Sequence, residues 1–530
     1  MPVLTGIDVL GVQRFVFSSN RLRDVVSGSF LVHWCTSTDG ALLDLVSKEK
    51  ILLAAGGNAI IEFDSLDEAK SFAALYSRLL YEEAPGLEVA LYHKPYNPGG
   101  LAWALQEIQI DLARSKMARS PSVPQLGLSI TASCIETGLP AIDYNSTGSK
   151  SQNTSTEIFS KNIWKRREQA VNVNRFWQDF LENSPNFDFP LELDQLGRDK
   201  GDTSLIGIVH VDGNRVGKKI KDWLSEKVNE EADDAEVRKE YRKWSNDIDE
   251  LGQKALKVVV DRIVQSVEQS KDGQKASISG VPERLGFNLQ KGKKSDRWML
   301  PLRPVVLGGD DMTFICDGRV ALDLAETALG IFEDSNIAHL GKITACAGIA
   351  IVRVHAPFAR AYELSERLCR SAKKKLHETG SSGCALDWHI GNANPGETVE
   401  MIREKQYQSR SGIRLTCRPY RLGSGEKEPE TWRWLSVTLL DGELYGIRGD
   451  IWSERRNKVK ALTGLVREGK GSVQTALEAW RRVDNKLQLP QPIEHDGFIA
   501  ESRTPLLDAI EILDLHVACR GSKKVQEVKK

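Results

Sequence analysis

The chain has 530 residues, of which 41% are hydrophobic and 27% are charged, and its formal net charge is −1. This composition is typical of a globular protein of three or four domains, and it excludes a chain that is basic overall, so any nucleic-acid-binding surface must be local. The sequence has neither a signal peptide nor the ~18 apolar residues of a membrane span, and its eight cysteines form no C-x-x-C pair, so we expect a cytoplasmic protein with reduced thiols, no structural zinc and no membrane contact.

The first part of the chain, residues 1–110, has apolar runs in the order β-α-β-β-α-β. Strands are predicted at 3–8, 51–55, 59–63 and 87–92, and helices at 21–45 and 66–82. Gly56, Gly57 and Asn58 stand between the second and third strands, where glycines favour a tight hairpin. This order predicts a ferredoxin-like palm domain, an antiparallel sheet with helices on one face.

A mostly helical linker domain is expected next, at residues 111–203, with polar segments at 145–157 and 184–203. The β-α-β-β-α-β order then recurs in a second domain, residues 204–392. Its strands are predicted at 205–211, 303–307, 312–316 and 343–354, its helices at 240–269, 320–333 and 357–376, and a polar inserted loop at 270–296.

Glycines again occupy the hairpin between the second and third strands of this repeat, at residues 308–311. The recurrence predicts an α+β protein with two tandem ferredoxin-like palm domains, and the family resemblance given below implies that the first is degenerate. From residue 393 to residue 530, amphipathic stretches such as 473–484 and 504–515 predict a helical C-terminal domain, and residues 521–530 are a charged tail.

Three acidic side chains are predicted to meet at one edge of the second sheet. Asp212 ends the first strand, and Asp310 and Asp311 lie at the hairpin before the third strand. The first and third strands of a ferredoxin-like sheet are neighbours. Carboxylate oxygens are preferred ligands of Mg²⁺ and Mn²⁺, and two such ions can activate a hydroxyl and neutralise a triphosphate. The pattern therefore predicts a two-metal nucleotidyl-transfer site with these carboxylates as metal ligands and catalytic groups.

Other residues around the hairpin are predicted to contact the nucleotide. Gly308 and Gly309 would let the backbone approach a phosphate or a base, and Gly213 would expose a main-chain oxygen to a metal ion. Asn214 and one of two lysines stand where a helix N-terminus would meet phosphates; the lysines are Lys218 and Lys219. A Gly-Gly-Asp-Asp turn taken alone also fits a polar surface turn.

Lys373 begins a run of three lysines on the apolar-striped helix predicted at 357–376. Such a run is typical of a solvated helix end that the helix dipole stabilises. The functional alternative is that Lys373 reaches the triphosphate. His210 and His355 are interpreted as packed residues of a strand and a loop.

Several motifs of the second domain occur together: V-D-G-N-x-x-G at 211–217, L-G-G-D-D at 307–311, A-G-I-A-I at 347–351, and H-x-P-x-x-x-A-Y-x-x-x-E-x-L…A-K at 355–373. They resemble the second palm of the large polymerase/cyclase subunit of type III CRISPR effector complexes (the Cmr/Csm large subunit), which is related to GGDEF diguanylate cyclases. The segments 7–17 and 22–29 are similar to the start of that family's first palm. The resemblance extends from about residue 3 to residue 390.

The resemblance implies a second palm that binds ATP with Mg²⁺ or Mn²⁺ and makes cyclic oligoadenylates in antiviral defence. It implies that Lys373 contacts the triphosphate and that the first palm helps to hold a second nucleotide near Ser27, Gly28 and Ser29. Because the first palm begins near residue 3 and the family's cysteine pairs are missing, we expect a short version without the HD nuclease domain and the zinc element. Such a chain would be a stand-alone or accessory synthase with a product of unspecified size.

Two other functions fit the sequence. The chain could be a catalytically silent, RNA-binding or sensing subunit of a CRISPR-type effector complex, with RNA phosphates contacted by the basic segments at 161–167, which includes Trp164, and at 455–460. It could also be a template-dependent polymerase, although no basic groove for a template is evident. The partners expected are nucleoside triphosphates, RNA or effector subunits, and further copies of the chain.

Overall fold

A computed structural model describes residues 1–120, 122, 127–142, 158–196, 205–281, 286–292, 295–394, 396–409, 412–425, 427–499 and 503–519. The predicted linker at 145–157 and the charged tail at 521–530 lie outside these residues. Within the described part of the chain, no helix has the length and apolar character needed to cross a membrane.

The first sheet has four strands in the order β2-β3-β1-β4, and β1 pairs antiparallel with both β3 and β4. The strands are β1 (Val3–Leu10), β2 (Ile51–Ala55), β3 (Asn58–Phe63) and β4 (Glu88–Pro95). The helices are α1 (Val12–Val16), α2 (Leu22–Thr36), α3 (Leu66–Glu83) and α4 (Leu101–Ala118). This is the ferredoxin-like order predicted from the sequence.

The boundaries of α2 differ from the predicted helix at 21–45. The helix ends at Thr36, and the next residues, Ser37, Thr38, Asp39 and Gly40, favour turns because their side chains or backbone freedom compete with helix. Helix α3 begins where predicted, because the Ser65 side chain accepts a hydrogen bond from the Glu68 backbone N–H.

Along the chain, helix α5 (Lys161–Trp177) and strand β5 (Phe187–Asp188) follow the first sheet and precede the second. Helix α5 packs against α2. Its basic residues bind inside the protein: Lys165 pairs with Glu83 at 3.1 Å, and the Arg167 Nε donates to Asp24 at 3.0 Å. Acidic side chains of the protein therefore neutralise much of the positive charge that was predicted to face RNA.

The second sheet has six strands in the order β10-β11-β6-β12-β13-β14. From residue 205 onward the strands are β6 (Leu205–Gly213), β7 (Val267–Gln269), β8 (Ala276–Ile278), β9 (Trp298–Met299), β10 (Leu302–Gly308), β11 (Asp311–Asp317), β12 (Ala345–Arg353), β13 (Ala385–Ile390) and β14 (Tyr420–Arg421). Its helices are α6 (Val216–Asn229), α7 (Asp234–Gln265), α8 (Ala321–Glu333) and α9 (Phe358–Glu378).

The second sheet has more elements than the predicted repeat. Strand β13 pairs parallel with β12, so the sheet is mixed, and α6 fills the connection after β6. Strands β7 and β8 form a small hairpin, in which β7 replaces the end of the helix predicted at 240–269 and β8 lies in the loop predicted at 270–296. The α+β class and the ferredoxin-like core of four strands are confirmed.

Helices cover both faces of the second sheet instead of the single face that was predicted. A Cβ added to Gly207 of β6 would lie 2.5 Å from the Cβ of Ala321, so α8 packs on that face. A Cβ added to Gly348 of β12 would lie 1.8 Å from the Ser365 carbonyl oxygen, so α9 packs on the other face. Side chains alternate along a strand, and His210 is the register partner of Gly348. His210 and Asp212 therefore point to the α9 side.

Helix α7 connects the two sheets. It packs against α8 and also against β2 of the first sheet. The Arg238 side chain donates two hydrogen bonds to the Glu62 carboxylate of β3, both at 2.7 Å. On the other side, α2 packs against β10. The two hairpins are therefore held in contact by helices that each touch both sheets.

The region after residue 393 is largely helical, and it adds the short strand β14 to the edge of the second sheet. Its helices are α10 (Val399–Gln406), a π-helix (Trp434–Leu440), α11 (Asp450–Ser453), α12 (Arg456–Glu468), α13 (Lys470–Val483) and α14 (Leu506–Ile512). In the basic segment at 455–460, Arg455 pairs with Asp484 at 2.5 Å and Arg456 pairs with Asp514, whereas Lys460 is exposed.

Candidate active site

The three predicted carboxylates meet at the end of β6. Val211 is the register partner of Met312, so Asp212 and Asp311, the adjacent residue on each strand, lie side by side. Gly308 pairs with Asp311, which places Gly309 and Asp310 at the turn. The structure therefore brings together the strand end and the hairpin.

Asp310 folds back over β6. A Cβ added to Gly213 would lie 2.2 Å from the Asp310 Oδ2, so only glycine leaves room for this carboxylate. Burial, together with the negative charges of Asp212 and Asp311, raises the pKa of Asp310 to about 6. Burial also raises the pKa of Asp311, although the nearby His210 opposes that shift.

Lys373 reaches the site from α9. Its Nζ lies 2.7 Å from the Asp212 Oδ2 and donates to the Gly213 carbonyl oxygen at 2.7 Å. Burial disfavours the charge on this lysine, but Asp212 outweighs burial and raises the pKa of Lys373. Lys373 is therefore a cation of the acidic cluster and not a solvated helix end.

His210 lies beneath the carboxylates, as a packed strand residue that is 4% exposed. Its Nδ1 is 3.1 Å from the Thr313 Oγ1 and 3.4 Å from the Asp311 Oδ1, and its ring packs edge-on against Tyr362. Sequence reasoning did not place His210 in the site. The signal was its position two residues before Asp212, on the same face of the strand.

The glycines of the hairpin serve close packing between the two domains. A Cβ added to Gly308 would lie 2.4 Å from the Cα of Gly56, so the second hairpin touches the first one. A Cβ added to Gly252 of α7 would lie 2.0 Å from the carbonyl oxygen of Gly309, whose φ is +64°. A cavity of about 1080 Å³ lies beside this contact, lined by α2, α5, α7 and both hairpins.

The segment that follows Gly213, at the end of β6, is hydrogen-bonded to neighbouring loops, and its contact with phosphates stays a prediction. The Asn214 side-chain amide donates to the Thr344 Oγ1 at 3.0 Å and to the Gly383 carbonyl oxygen at 3.4 Å. Lys219 donates to two carbonyl oxygens of the loop before β12. Both side chains therefore brace the loops near the site, whereas Lys218 is exposed.

Ser27, Gly28 and Ser29 lie inside the contact between the two domains. Ser27 is 1% exposed and Ser29 is 7% exposed, and the Ser29 Oγ donates to the Val305 carbonyl oxygen of β10. A Cβ added to Gly28 would lie 3.2 Å from the Arg166 side chain. In this structure α2 presents these residues to α5 and β10, and their contact with a nucleotide stays a prediction.

Comparisons with known proteins agree with this architecture. Residues 205–380 match the family model described as Cas10/Cmr2, second palm domain. This segment contains β6, the acidic hairpin and Lys373. No curated protein has a significant sequence match to the chain.

Solved structures of Csm1 resemble almost the whole chain. Csm1 of T. onnurineus has a TM-score of 0.51 and 13% identity, over 98% of this chain and 69% of that chain. A Csm1–Csm4 cassette in complex with cA3 has a TM-score of 0.52 and 12% identity, over 98% of this chain and 70% of that one. A cassette with one ATP has a TM-score of 0.51 and 12% identity, over 97% and 70%. Residues 205–380 therefore match the second palm domain of Cas10/Cmr2, and the fold of the chain resembles that of Csm1.

Proposed function

We propose that this protein is an ATP-dependent nucleotidyltransferase that makes cyclic oligonucleotides, chiefly oligoadenylates, as signals in antiviral defence. The reaction takes place at the second palm with two divalent ions, Mg²⁺ or Mn²⁺. The observation that carries the proposal is the convergence of three carboxylates and one lysine where β6 ends and β11 begins. These residues are Asp212, Asp310, Asp311 and Lys373.

The residues of the cluster fit divalent cations. The Asp311 Oδ1 is buried without a hydrogen-bond donor, and burial together with neighbouring carboxylates raises the pKa values of Asp310 and Asp311, so a bound cation would favour their ionised forms. Oxygen ligands of this kind suit Mg²⁺ and Mn²⁺. Asp212, Asp310 and Asp311 would hold the ions, which when bound supply activation of the attacking hydroxyl and neutralisation of phosphate charge.

The residues of the chain have separate tasks in this reaction. The carboxylates must be ionised, which for Asp310 requires a pH above about 6 in the absence of metal. Lys373, held by Asp212 and the Gly213 carbonyl oxygen, places a positive charge where a triphosphate would approach. In each transfer a 3′-hydroxyl oxygen bonds to the α-phosphorus of the next ATP, pyrophosphate leaves, and the hydroxyl proton is lost to water.

The solved Csm1–Csm4 cassettes support a proposal about partners. In those structures Csm1 is assembled with Csm4, and the bound molecules include ATP and cA3. By analogy of fold, we infer that this chain assembles with a Csm4-like subunit of a type III CRISPR effector complex. Acidic side chains of the protein pair with several cations of the two basic segments, which disfavours a role that depends on those cations for RNA binding.

The decisive experiment is incubation of the purified protein with Mn²⁺ or Mg²⁺ and each nucleoside triphosphate, followed by mass spectrometry of the products. Wild type is expected to convert ATP to cyclic oligoadenylates. The double variant Asp310→Asn with Asp311→Asn is expected to lose at least ~100-fold in rate, the size of effect seen when charge stabilisation of a transition state is removed.

The matched control is Asp334→Asn, which removes an exposed carboxylate of the same domain at the end of α8. This variant should keep the wild-type rate. Equal product from the wild type and the double variant would exclude the acidic hairpin from the reaction. Primer extension on a template would instead favour the polymerase.

A further inference from the structure

Below the three carboxylates lie two side chains that carry softer metal-ligating atoms, an imidazole nitrogen and a thiol sulfur. A ring nitrogen of His210, a carboxylate oxygen of Asp212 and the Cys369 Sγ all lie within 4.8 Å of one another. Cys369 is 2% exposed on the inner face of α9, and its thiol donates to the Cys346 carbonyl oxygen at 3.2 Å. These three residues, His210, Asp212 and Cys369, are called the His-Asp-Cys cluster below.

The fold builds this cluster at a close approach of helix to sheet. Gly348 is the register partner of His210, and a Cβ at Gly348 would lie 2.3 Å from the Cys369 backbone nitrogen. Because Gly348 has no side chain, α9 lies against the strand and brings its thiol next to His210. A larger residue at 348 would push the thiol away.

We propose that the His-Asp-Cys cluster is a binding site for a borderline-soft divalent ion such as Zn²⁺, distinct in ligand chemistry from the Mg²⁺ or Mn²⁺ pair. Imidazole nitrogen and thiolate sulfur favour Zn²⁺ over Mg²⁺, and three protein ligands leave one coordination position open, as in other zinc sites. Metal binding forms the metal–sulfur bond and releases the thiol proton to water.

The exposed carboxylate of Asp212 gives the ion a way into the His-Asp-Cys cluster. The Asp212 side chain is 42% exposed, whereas His210 and Cys369 lie below it. Lys373 holds one oxygen of Asp212, and the carboxylate has a second one. The Asp311 Oδ1, buried without a hydrogen-bond donor and 3.4 Å from the His210 Nδ1, adds negative charge beside the cluster.

Occupation of the cluster would inhibit nucleotidyl transfer, because Zn²⁺ would take Asp212 away from the catalytic ions. This consequence rests on the proposed function, but the binding does not. The protein would then make product only where free Zn²⁺ is low. By the usual order of divalent affinities, Zn²⁺ would displace Mn²⁺ at comparable concentrations.

The test of binding uses Co²⁺ as a spectroscopic probe for Zn²⁺ on the full chain. Wild type should show a thiolate-to-cobalt charge-transfer band that Zn²⁺ abolishes by displacement. Cys369→Ser keeps a donor for the Cys346 carbonyl oxygen but has no thiolate, so its band should be lost. Cys316→Ser is the matched control, because Cys316 is buried on the opposite face of the sheet, beside Gly207, and its variant should keep the band.

Absence of the band in wild type, or its persistence in Cys369→Ser, would overturn the proposal. Inhibition is measured separately, by Zn²⁺ titration of Mn²⁺-supported synthesis. Cys369→Ser should need at least ~10-fold more Zn²⁺ for half inhibition, since even loss of a group that only supports a ligand costs about 10–100-fold in affinity. Equal inhibition of both proteins would place the inhibitory ion elsewhere. A wild type with the cobalt band but without product would contradict the proposed function alone.

Discussion

The hairpins of the two sheets have the same frame but different chemistry. In the first sheet Asp8, near the end of β1, pairs in register with Asn58. In the second sheet Asp212, at the corresponding place in β6, lies beside Asp311. The first hairpin thus keeps one carboxylate of three, and it cannot gather the negative charge that two divalent ions need.

The similarity extends to a lysine from the helix that follows the fourth strand. Lys116 of α4 pairs with Asp8, as Lys373 of α9 pairs with Asp212. Burial lowers the pKa of Lys116, whereas Asp212 outweighs burial at Lys373 and raises its pKa. The Asp–Lys pair of the first sheet stands alone and is a structural contact. The corresponding pair of the second sheet lies beside two further carboxylates, and together they form a candidate metal site.

The largest expected effect is a difference in reaction rate between variants of Asp212 and Asp8, the aspartates near the ends of β6 and β1. Asp212→Asn should reduce cyclic oligonucleotide synthesis at least ~100-fold, because it removes a ligand and the partner of Lys373. Asp8→Asn should leave the rate nearly unchanged. Initial rates measured by product chromatography check this, and a comparable loss in both variants would mean that the first hairpin also takes part in the chemistry.

A smaller effect is expected at the two lysines. Lys373→Met should slow synthesis by roughly 10–100-fold, since a charge near the triphosphate is lost while the ions remain. Lys116→Met removes the matched contact in the first sheet and should alter only thermal stability. Rates and melting temperatures of both variants distinguish these outcomes. A wild-type rate for Lys373→Met would remove the lysine from nucleotide binding.

The contact between the hairpins can be broken by a single methyl group. Gly308→Ala would place a Cβ 2.4 Å from the Cα of Gly56, and forced overpacking of this kind costs about 1–3 kcal/mol. Gly330→Ala in α8 is the control, because its Cβ would meet no atom within 4 Å and alanine favours helix by up to ~1 kcal/mol. Chemical denaturation should show opposite signs for the two variants. Equal stability would mean that the hairpins do not press on each other.

The smallest expected effect is the pH dependence of stability at Asp310. Its pKa is about 6 in the folded protein and 3.8 in the unfolded chain, so the ionised carboxylate destabilises the fold fully above pH 6 and not below pH 4. Without divalent ions, Asp310→Asn should raise the melting temperature by roughly 1–3 °C at pH 8. The gain should vanish at pH 4, as calorimetry in EDTA can check. A gain that persists at pH 4 would have a cause other than charge.

The sequence predicted the elements that local patterns specify. The apolar run before Asp212 and the glycines at 308–309 identified β6 and the hairpin, and the neighbouring positions of the first and third strands brought the carboxylates together. The parallel strand β13 was missed, because its six residues pair with a strand reached only through α9.

Contacts between distant residues account for the remaining differences. Nothing in the local sequence around Ser29 specifies its hydrogen bond to Val305, which lies 276 residues later. Asn214 stands where the sequence predicts a phosphate-binding helix N-terminus, but its side-chain amide donates a hydrogen bond to the Thr344 Oγ1. Cys369 meets His210 only because Gly348 admits the helix, which no periodicity indicates.

The glycine-to-glycine contact at Gly56 and Gly308 has a consequence for divergence after duplication. A Cβ at Gly308 would lie 2.4 Å from the Gly56 Cα, and a Cβ at Gly56 would lie 3.3 Å from the Gly308 carbonyl oxygen, at a residue whose φ of +57° also favours glycine. Loss of acidic residues in one half is thus permitted, while loss of the small residue is not. The hairpin of the first sheet therefore constrains the shape of the acidic hairpin in the second.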